Sequence, residues 1–550
     1  MLRVSACLLV LATAAGAAVI SVTHDAVSGN YSVHDGEAEG WVVRANFSDQ
    51  QAATGWARLE IEGRQSEDED GDEVMAFAAG LAEAHLTSAM IADFIYNVVE
   101  DMCAKPADRS KCAAINEYFA KNLEWTRRKV ESSAERDPYW RQVGLVLSQM
   151  DGLQQGIADT IPEAPADAAL WLNAFPDAMD LKIGLPVNRK LAGAEAGGPS
   201  GSDHCSVLVR LLPENADLLV GHNTWVDYNY MSRLLKKVTL PFRAGSDGAD
   251  TVAAPSVSFS GFPGSIASLD DFHITSSGLV TTETSLDNYN KDLWTFLTTS
   301  NSIMQWIRVT VANRVASSGQ EWHNAFKRYN SGTYNNQWMI VDYKKFEAGS
   351  EGAEPGLLWV TEQMPGLLVG DDVTQVLAHD GYWASYNQPY FPIIDDISGN
   401  KRQRAERGDF FSHNKNPRAQ LFRRDHVLAS NVTAALRLMR HNNFTADPLS
   451  SCNCSTGYSA DNAIASRRDL NDPDGTYPLK RLGFQAYGAV DAKVTSASLA
   501  KRLEFVAEAG PTHDSQPVFQ WSTSPFADSV RHRGQPDRWE FAAVDVSWAW

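Results

Sequence analysis

From Val74 onward the side chains Val74, Phe77, Leu81, Ala84, Ser88, Ile91, Ile95, Val98 and Met102, all but Ser88 apolar, return at intervals of three and four. That spacing lays one greasy stripe along a helix. It predicts a second helix through Ile115, Phe119, Leu123 and Val130, and a third through Trp140, Val143, Leu147, Met150 and Ile157. Such stripes are packing faces. Ahead of them, Tyr31 to Ile61 reads as mixed β-like sequence, and the acidic run Glu67, Asp68, Glu69, Asp70 as a solvated loop or helix entry. Residues 192–202 are almost all Gly, Ala, Ser and Pro, which predicts a linker open to proteolysis. The pattern then switches to strands: 205–212, a turn at 213–217, and a return at 218–222. A helical surface bearing Arg233, Lys236 and Lys237 is expected next. Further strands are predicted at 272–275, 279–282, 338–343 and 356–361, with helical spacing from Leu293 to Val315 between them. Hairpin strands with helices before and between them predict an α+β fold with largely antiparallel sheets.

The 550 residues, 44% hydrophobic and 21% charged, are enough for a folded chain with a substantial core. The formal charge of −20 works against wrapping a phosphate backbone, so nucleic acid is not an expected partner. Residues 1–17 carry Arg3, the apolar run Leu8, Leu9, Val10, Leu11 and a small-residue finish, which reads as a secretory signal peptide. No later stretch reaches the uninterrupted apolar length of a stable membrane span. Five Asn-x-Ser/Thr acceptors, Asn30, Asn46, Asn431, Asn443 and Asn453, agree with a secreted or lysosomal destination.

With Cys7 inside the leader, five cysteines remain. Cys103 and Cys112 flank a turn-like segment, where a disulfide would contribute about 2–4 kcal/mol. Cys452 and Cys454, two apart, form either a tight bridge or part of a metal site, although no second Cys-x-x-Cys or spaced His pair completes a ligand set. Cys205 is left over: buried and inert, bonded between chains, or a reactive thiol. The sequence has no Gly-x-Ser-x-Gly elbow, no His-Glu-x-x-His, no Walker loop, and no papain-type cysteine surroundings. What it has is a thiol where a flexible-looking linker meets a strand. Were the bond before Cys205 cut, the new α-amine, with a free pKa near 8, could take the thiol's own proton.

The strings around Cys205 and 221–225, Tyr329 to Trp338, Ala489 to Thr495 and Phe519 to Phe526 resemble the phospholipase B-like family, across nearly the whole chain after the leader. The resemblance implies an N-terminal nucleophile hydrolase fold, an αββα sandwich, activated by autocatalytic cleavage before a cysteine. It divides the chain into a leader (1–17), a helical N-terminal fragment ending in a cleavable linker (18–204) and a nucleophile-bearing fragment (205–550), the two fragments forming one globular unit. It makes Cys205 the nucleophile and sets His222 and Trp225 beside it. Asn335 and Asn336 are the candidate oxyanion donors, and Thr282 a lining residue. Each has a plainer reading: Asn335 and Asn336 as turn caps, His222 as a hydrogen-bonded structural imidazole, Trp225 as packing. Arg418, Arg423 and Arg424 read either as binders of a phosphate or carboxylate or as solvated surface. The implied activity is removal of fatty acyl chains from phospholipids, with no metal and no organic cofactor, and a homodimer allowed. Two other classes fit the same residues: an amidase acting on N-acyl or peptide amides, and a non-catalytic secreted or lysosomal binding protein.

Overall fold

The computed structural model describes residues 17–65, 70–106, 108–185, 205–245 and 250–550. Residues 1–16 of the leader, Glu67, Asp68 and Glu69 of the acidic run, and the 192–202 linker lie outside the described residues. Two sheets carry the fold. The large one runs, from edge to edge, Leu367–Asp372, Leu358–Met364, Asn336–Asp342, Leu279–Ser285, Phe272–Thr275, Ser256–Gly261, Arg233–Thr239, Trp56–Gly63, Val43–Gln50, Ala18–Asp25, Asn30–Asp35. The small one runs Tyr382–Ser385, Ser206–Leu211, Leu218–Asn223, Asp491–Thr495, Phe505–Ala509, Val544–Val546. Every neighbouring pair in both sheets is antiparallel except one, the parallel joint of Trp56–Gly63 with Arg233–Thr239. That joint ties the segment before residue 205 into the same sheet as the segment after it.

Period-2 alternation decides what lies between the sheets. Val207, Val209, Val220, Leu235, Phe272, Ile274, Val280, Met339, Val341, Leu358 and Val360 form one shared core, so the two sheets pack face to face. The opposite face of the large sheet presents Leu279, Trp338 and Ile340 to the helices Pro138–Thr160, Ala168–Gly184 and Gln305–Val315. The opposite face of the small sheet presents Leu208, Leu219, Ala492 and Val494 to Pro417–Asp425 and Val432–Met439. Helices therefore shield both outer faces, as an α+β chain with two one-sided sheets requires.

The three striped helices form. The first runs Gly71–Phe94 and continues through a π-turn, Ile95–Val99, to Met102; the others are Arg109–Ser133 and Pro138–Thr160, the last capped by Asp137. Gly71–Phe94 and Pro138–Thr160 touch backbone to backbone. A Cβ on Gly80 or Gly152 would sit 1.9 Å from Gln149 O or Phe77 O respectively. The stretch Gly71–Met102 is apolar and long enough to cross a membrane, but 67% of its most apolar window is buried inside the protein. Helix Ala168–Gly184 escapes the periodicity reading because Pro176 interrupts the pattern. Disulfides join Cys103 to Cys112 and Cys452 to Cys454. Asn30, Asn431, Asn443 and Asn453 are exposed, and Asn46 is half-buried.

One expectation is corrected. Arg233, Lys236 and Lys237 lie on a strand, Arg233–Thr239, not on a helical surface, and the first two are fully buried. Arg233 points between the sheets. Lys236 points to the other face, where its Nζ pairs with Glu83 of helix Gly71–Phe94 and donates to Ser265 O at 2.7 Å. Cations at these positions read as solvent-facing, but each has a buried carboxylate waiting for it. Replacing Lys236 with Met should therefore strand the Glu83 carboxylate and cost about 3–5 kcal/mol, whereas the double change Lys236→Met with Glu83→Leu should regain most of that loss. Urea denaturation of the two variants measures the difference; equal stabilities would show that the pair does not join helix to sheet.

Candidate active site

Cys205 stands immediately before strand Ser206–Leu211, 2% exposed, with φ at +86°. It is the free cysteine among the described residues. A non-glycine residue at such a φ is strained, and strain of this kind persists only where the surroundings hold it. They do so here through atoms of residues 205 and 206. The Arg418 guanidinium donates to Cys205 O at 2.8 Å, to Ser206 Oγ at 3.3 Å, to Tyr386 O at 2.9 Å and to Asn387 Oδ1 at 2.7 Å. The same guanidinium lies 4.4 Å from the centre of the Trp225 ring. Ser206 N donates to Asn223 Oδ1 at 2.7 Å, and that oxygen also receives Trp225 Nε1 at 2.9 Å. Asn223 Nδ2 in turn donates to Met439 O and Ile464 O at 2.7 and 2.8 Å. Arg418 is thus 3% exposed and part of the cradle rather than a surface cation. Arg424 is half-exposed and paired with Asp425 and Asp447.

Register puts the chemistry on one face. Val207 and Val209 point between the sheets, and by period 2 so does Cys205. Val207 lies opposite His222, and His222 opposite Lys493, so His222, Asp491 and Lys493 share that inner face. Four buried charges meet there. Arg233 pairs with Asp270 and, at 2.8 Å, with Asp491; Lys493 Nζ lies 3.1 Å from Asp270 and 2.8 Å from Asp491. Lys493 spends its third proton on Thr224 Oγ1 at 2.6 Å. Asp270 also accepts from Thr224 and Ser260 hydroxyls at 3.0 and 2.9 Å. Two cations and two anions, all out of water, cancel. Burial pulls Lys493 down to about 8 against the attraction of Asp491.

The thiol is silent in this setting. Burial, and then the Glu283 carboxylate, push it well above the usual cysteine range, while the Trp225 N–H and Lys493 work in the other direction. His222 offers no relief. Burial, and then Lys493 and Arg233, hold the imidazole neutral against a hydrogen bond to the Glu283 backbone.

Buried carboxyls also gather on the helix-facing side of the large sheet, where Glu283 lies opposite Trp338. Tyr334 Oη donates to Glu283 Oε1 at 3.1 Å and lies 3.0 Å from Leu269 O, and Glu283 N donates to Asp271 O at 3.2 Å. Burial holds Asp271 at about 7 and Glu283 well above the carboxylate range. Leu269, Asp271 and Tyr334 all have positive φ, at 62°, 60° and 48°. Three more strained positions therefore lie around the same pair of carboxyls.

Of the residues singled out in the sequence, Thr282 lies on the inner face of the large sheet with its hydroxyl unpartnered, and Trp225 is wholly buried against Ala465, Tyr487 and Ala489. Asn335 is spoken for: its Nδ2 donates to Asp180 and Gly332 O, and its Oδ1 accepts from Gln363. Asn336 is fully buried with both amide atoms unpartnered, one row from Glu283 on the same sheet face. The sequence reading missed Arg418's position, Asn223, Arg233, Asp270, Asp271, Glu283, Asp491 and Lys493. Asn223, Asp491 and Lys493 had one signal, their place within the unusual strings 221–225 and 489–495; Asp270, Asp271 and Glu283 had none. Away from the thiol, Glu508, His513 and Asp514 converge as metal ligands would, but the Arg440 guanidinium already occupies the cation's place, 2.8 Å from Glu508.

Residues 43–546 match the family model described as phospholipase B. A Homo sapiens protein named phospholipase B-like 2 is 41% identical over 538 residues, covering 96% of this chain and 89% of its own. Caenorhabditis elegans phospholipase B-like 1 is 41% identical over 522 residues, covering 92% of this chain and 87% of its own. The Dictyostelium discoideum phospholipase B-like protein B is 34% identical over 527 residues, with 94% and 87% covered.

Buried carboxyls also make stability depend on pH. Asp180, Asp271 and Glu362 titrate at about 7 in the fold, chiefly through burial, far above an unfolded carboxyl. Between pH 7.5 and 6 the folded chain takes up protons there that the unfolded chain does not, so stability rises as pH falls, each group contributing at most about 1.4 kcal/mol per pH unit. Buried His273 and His323, held at about 3 and 4 by desolvation, oppose this only as pH drops through the ordinary imidazole range near 6.5. The urea midpoint is expected to be higher at pH 6 than at pH 7.5; a lower one would mean these carboxyls are ionised in the fold.

Proposed function

The chain belongs to the phospholipase B family, and on that premise we propose that it is an acyl hydrolase that removes fatty acyl chains from phospholipids with Cys205 as nucleophile. The observation that carries the reading is the state of Cys205: a buried, strained thiol whose carbonyl and following residue are clamped by Arg418 and Asn223. Nothing in its present surroundings can ionise it. Lys493 has all three N–H groups engaged, and burial beside Lys493 and Arg233 holds His222 neutral. A base supplied by the residue itself resolves this, and scission of the bond between His204 and Cys205 would create one in the α-amine.

The steps follow from that geometry. In maturation the thiol adds to the adjacent His204 carbonyl as its proton passes to the amide nitrogen, which leaves as the new amine, and water cleaves the thioester. In turnover the α-amine takes the Cys205 proton, Sγ attacks the acyl carbonyl, and the amine returns the proton to the departing alcohol. Water then hydrolyses the acyl thioester. The charge that develops on the carbonyl oxygen needs donors, and the unpartnered Asn336 amide, with backbone N–H groups, supports that role better than the engaged Asn335. The layered, doubly helix-covered sheets are compatible with an N-terminal nucleophile hydrolase. A secreted or lysosomal setting goes with this proposal.

Purified active protein is expected to show a new amino terminus reading Cys-Ser-Val-Leu by sequencing and intact mass. Cys205→Ala should abolish release of fatty acid from phosphatidylcholine vesicles, with a loss of at least about a thousandfold, and should leave the melting temperature within a few degrees of wild type. Turnover surviving in that variant would end the mechanism. Matched ester and amide substrates with one acyl chain separate a lipase from an amidase.

A further inference from the structure

A cavity of about 30 Å³ lies between the helix-facing side of the large sheet and helices Pro138–Thr160 and Gln305–Val315. Its walls are mostly apolar, among them Val238, Pro255, Phe259 and Ile266, and no acidic side chain lines it. Three lining side chains carry hydrogen-bond donors: Gln149 on the first helix, Asn313 and Arg314 on the second. Gln149 and Asn313 are 2% and 4% exposed. Gln149 Oε1 accepts from Arg314 Nη2 at 2.9 Å, and Asn313 Oδ1 accepts from Trp322 Nε1 at 2.7 Å. A guanidinium and an indole can only donate, so these contacts fix both amide oxygens. The two NH2 ends are left over, and no described residue accepts from them.

Arg314 is the charged member. Its guanidinium lies 4.8 Å from the centre of the Phe242 ring, and its Nη1, sealed from solvent, has no hydrogen-bond partner among the described residues. The side chain as a whole is half-buried, so the cavity lies next to solvent. Burial pulls the guanidinium down to about 9, and no carboxylate lifts it back. His273 adds no second charge, since its Nε2 accepts from Ser268 N at 3.2 Å and burial keeps the ring neutral. Other cations of the core are met: Lys236, on the same sheet face, by Glu83, and Arg233 and Lys493 by Asp270 and Asp491. Arg314 departs from that pattern.

A buried cation without a counter-charge is costly, and water would supply acceptors but not the missing negative charge. We propose that Arg314, Asn313 and Gln149 form a binding site for one small monovalent anion of the halide class, such as chloride. The donor set is all N–H, the one charge is positive, and the apolar walls suit an ion that gives up its hydration cheaply. The space holds about two water molecules, which admits a halide and excludes a fatty acyl chain. Gln149 precedes residue 205 while Asn313 and Arg314 follow it, so the ion would tie the two segments together. The site is independent of how Cys205 acts.

Crystals of the whole protein grown in sodium bromide should show an anomalous peak at hydrogen-bonding distance from Arg314 Nη1 and the two amide nitrogens. In solution the thermal midpoint in sodium chloride should exceed that in sodium gluconate of equal ionic strength, by about 2 °C at a hundred times the half-saturating concentration. Gln149→Glu sets a carboxylate against Arg314 in place of the ion, and should erase both the peak and the chloride dependence in a folded protein. Arg314→Met should erase them by removing the charge, and gives the same reading if Gln149→Glu does not fold. No peak at Arg314 in the wild type would overturn the proposal. So would a peak or a chloride dependence that persists in either folded variant. A peak with no thermal response would mean an adventitious ion only, and would overturn it as well.

Discussion

Four charges withdrawn from water, two carried by each half of the sandwich, set the terms for everything around Cys205. Arg233 and Asp270 belong to the large sheet and its loop, Asp491 and Lys493 to the small sheet. Each was desolvated at a cost of several kcal/mol, and that cost is offset only when all four are present and in register. The quartet therefore fixes how one sheet sits on the other where the hydrocarbon core ends. It also provides the polar floor beside which a thiol and an imidazole are buried.

Above that floor the surroundings hold the cysteine backbone while keeping its sulfur inert. Arg418 satisfies four oxygens at once, and Asn223 bridges two strands and a tryptophan. Every proton of the nearest ammonium is engaged. The backbone around residues 205 and 206 is thus fully committed to its neighbours, as a buried strained residue requires.

The sequence disclosed these parts unequally. Helical stripes of apolar residues were legible because an amphipathic helix repeats one decision many times, and the hairpin from 205 to 222 was legible because its turn is marked by Pro213 and Asp217. Strand Arg233–Thr239 was not, since cations at that spacing mimic a wet helix face; only the distant Glu83, Asp270 and Asp491 make them core. Arg418 was misread for the same reason. Its partners come from residues 205, 206, 386 and 387, and no local pattern announces a contact across more than two hundred positions. Cys205 itself was found by arithmetic, as the cysteine left over after pairing. Its carboxyl neighbours carried no such tally.

The single parallel joint also bears on how the chain is made. Strand Trp56–Gly63 has its antiparallel neighbour at hand within a few residues, but its other edge stays open until Arg233–Thr239 emerges from the ribosome some 170 residues later. During that interval a row of bare amides and carbonyls faces its surroundings, with an apolar side awaiting cover. The nascent protein is therefore most exposed to faulty pairing midway through synthesis, and the helices Gly71–Phe94 and Pro138–Thr160, born inside that window and packed on the same strands through Met75 and Leu145, are placed to shelter the growing sheet until its missing strand arrives.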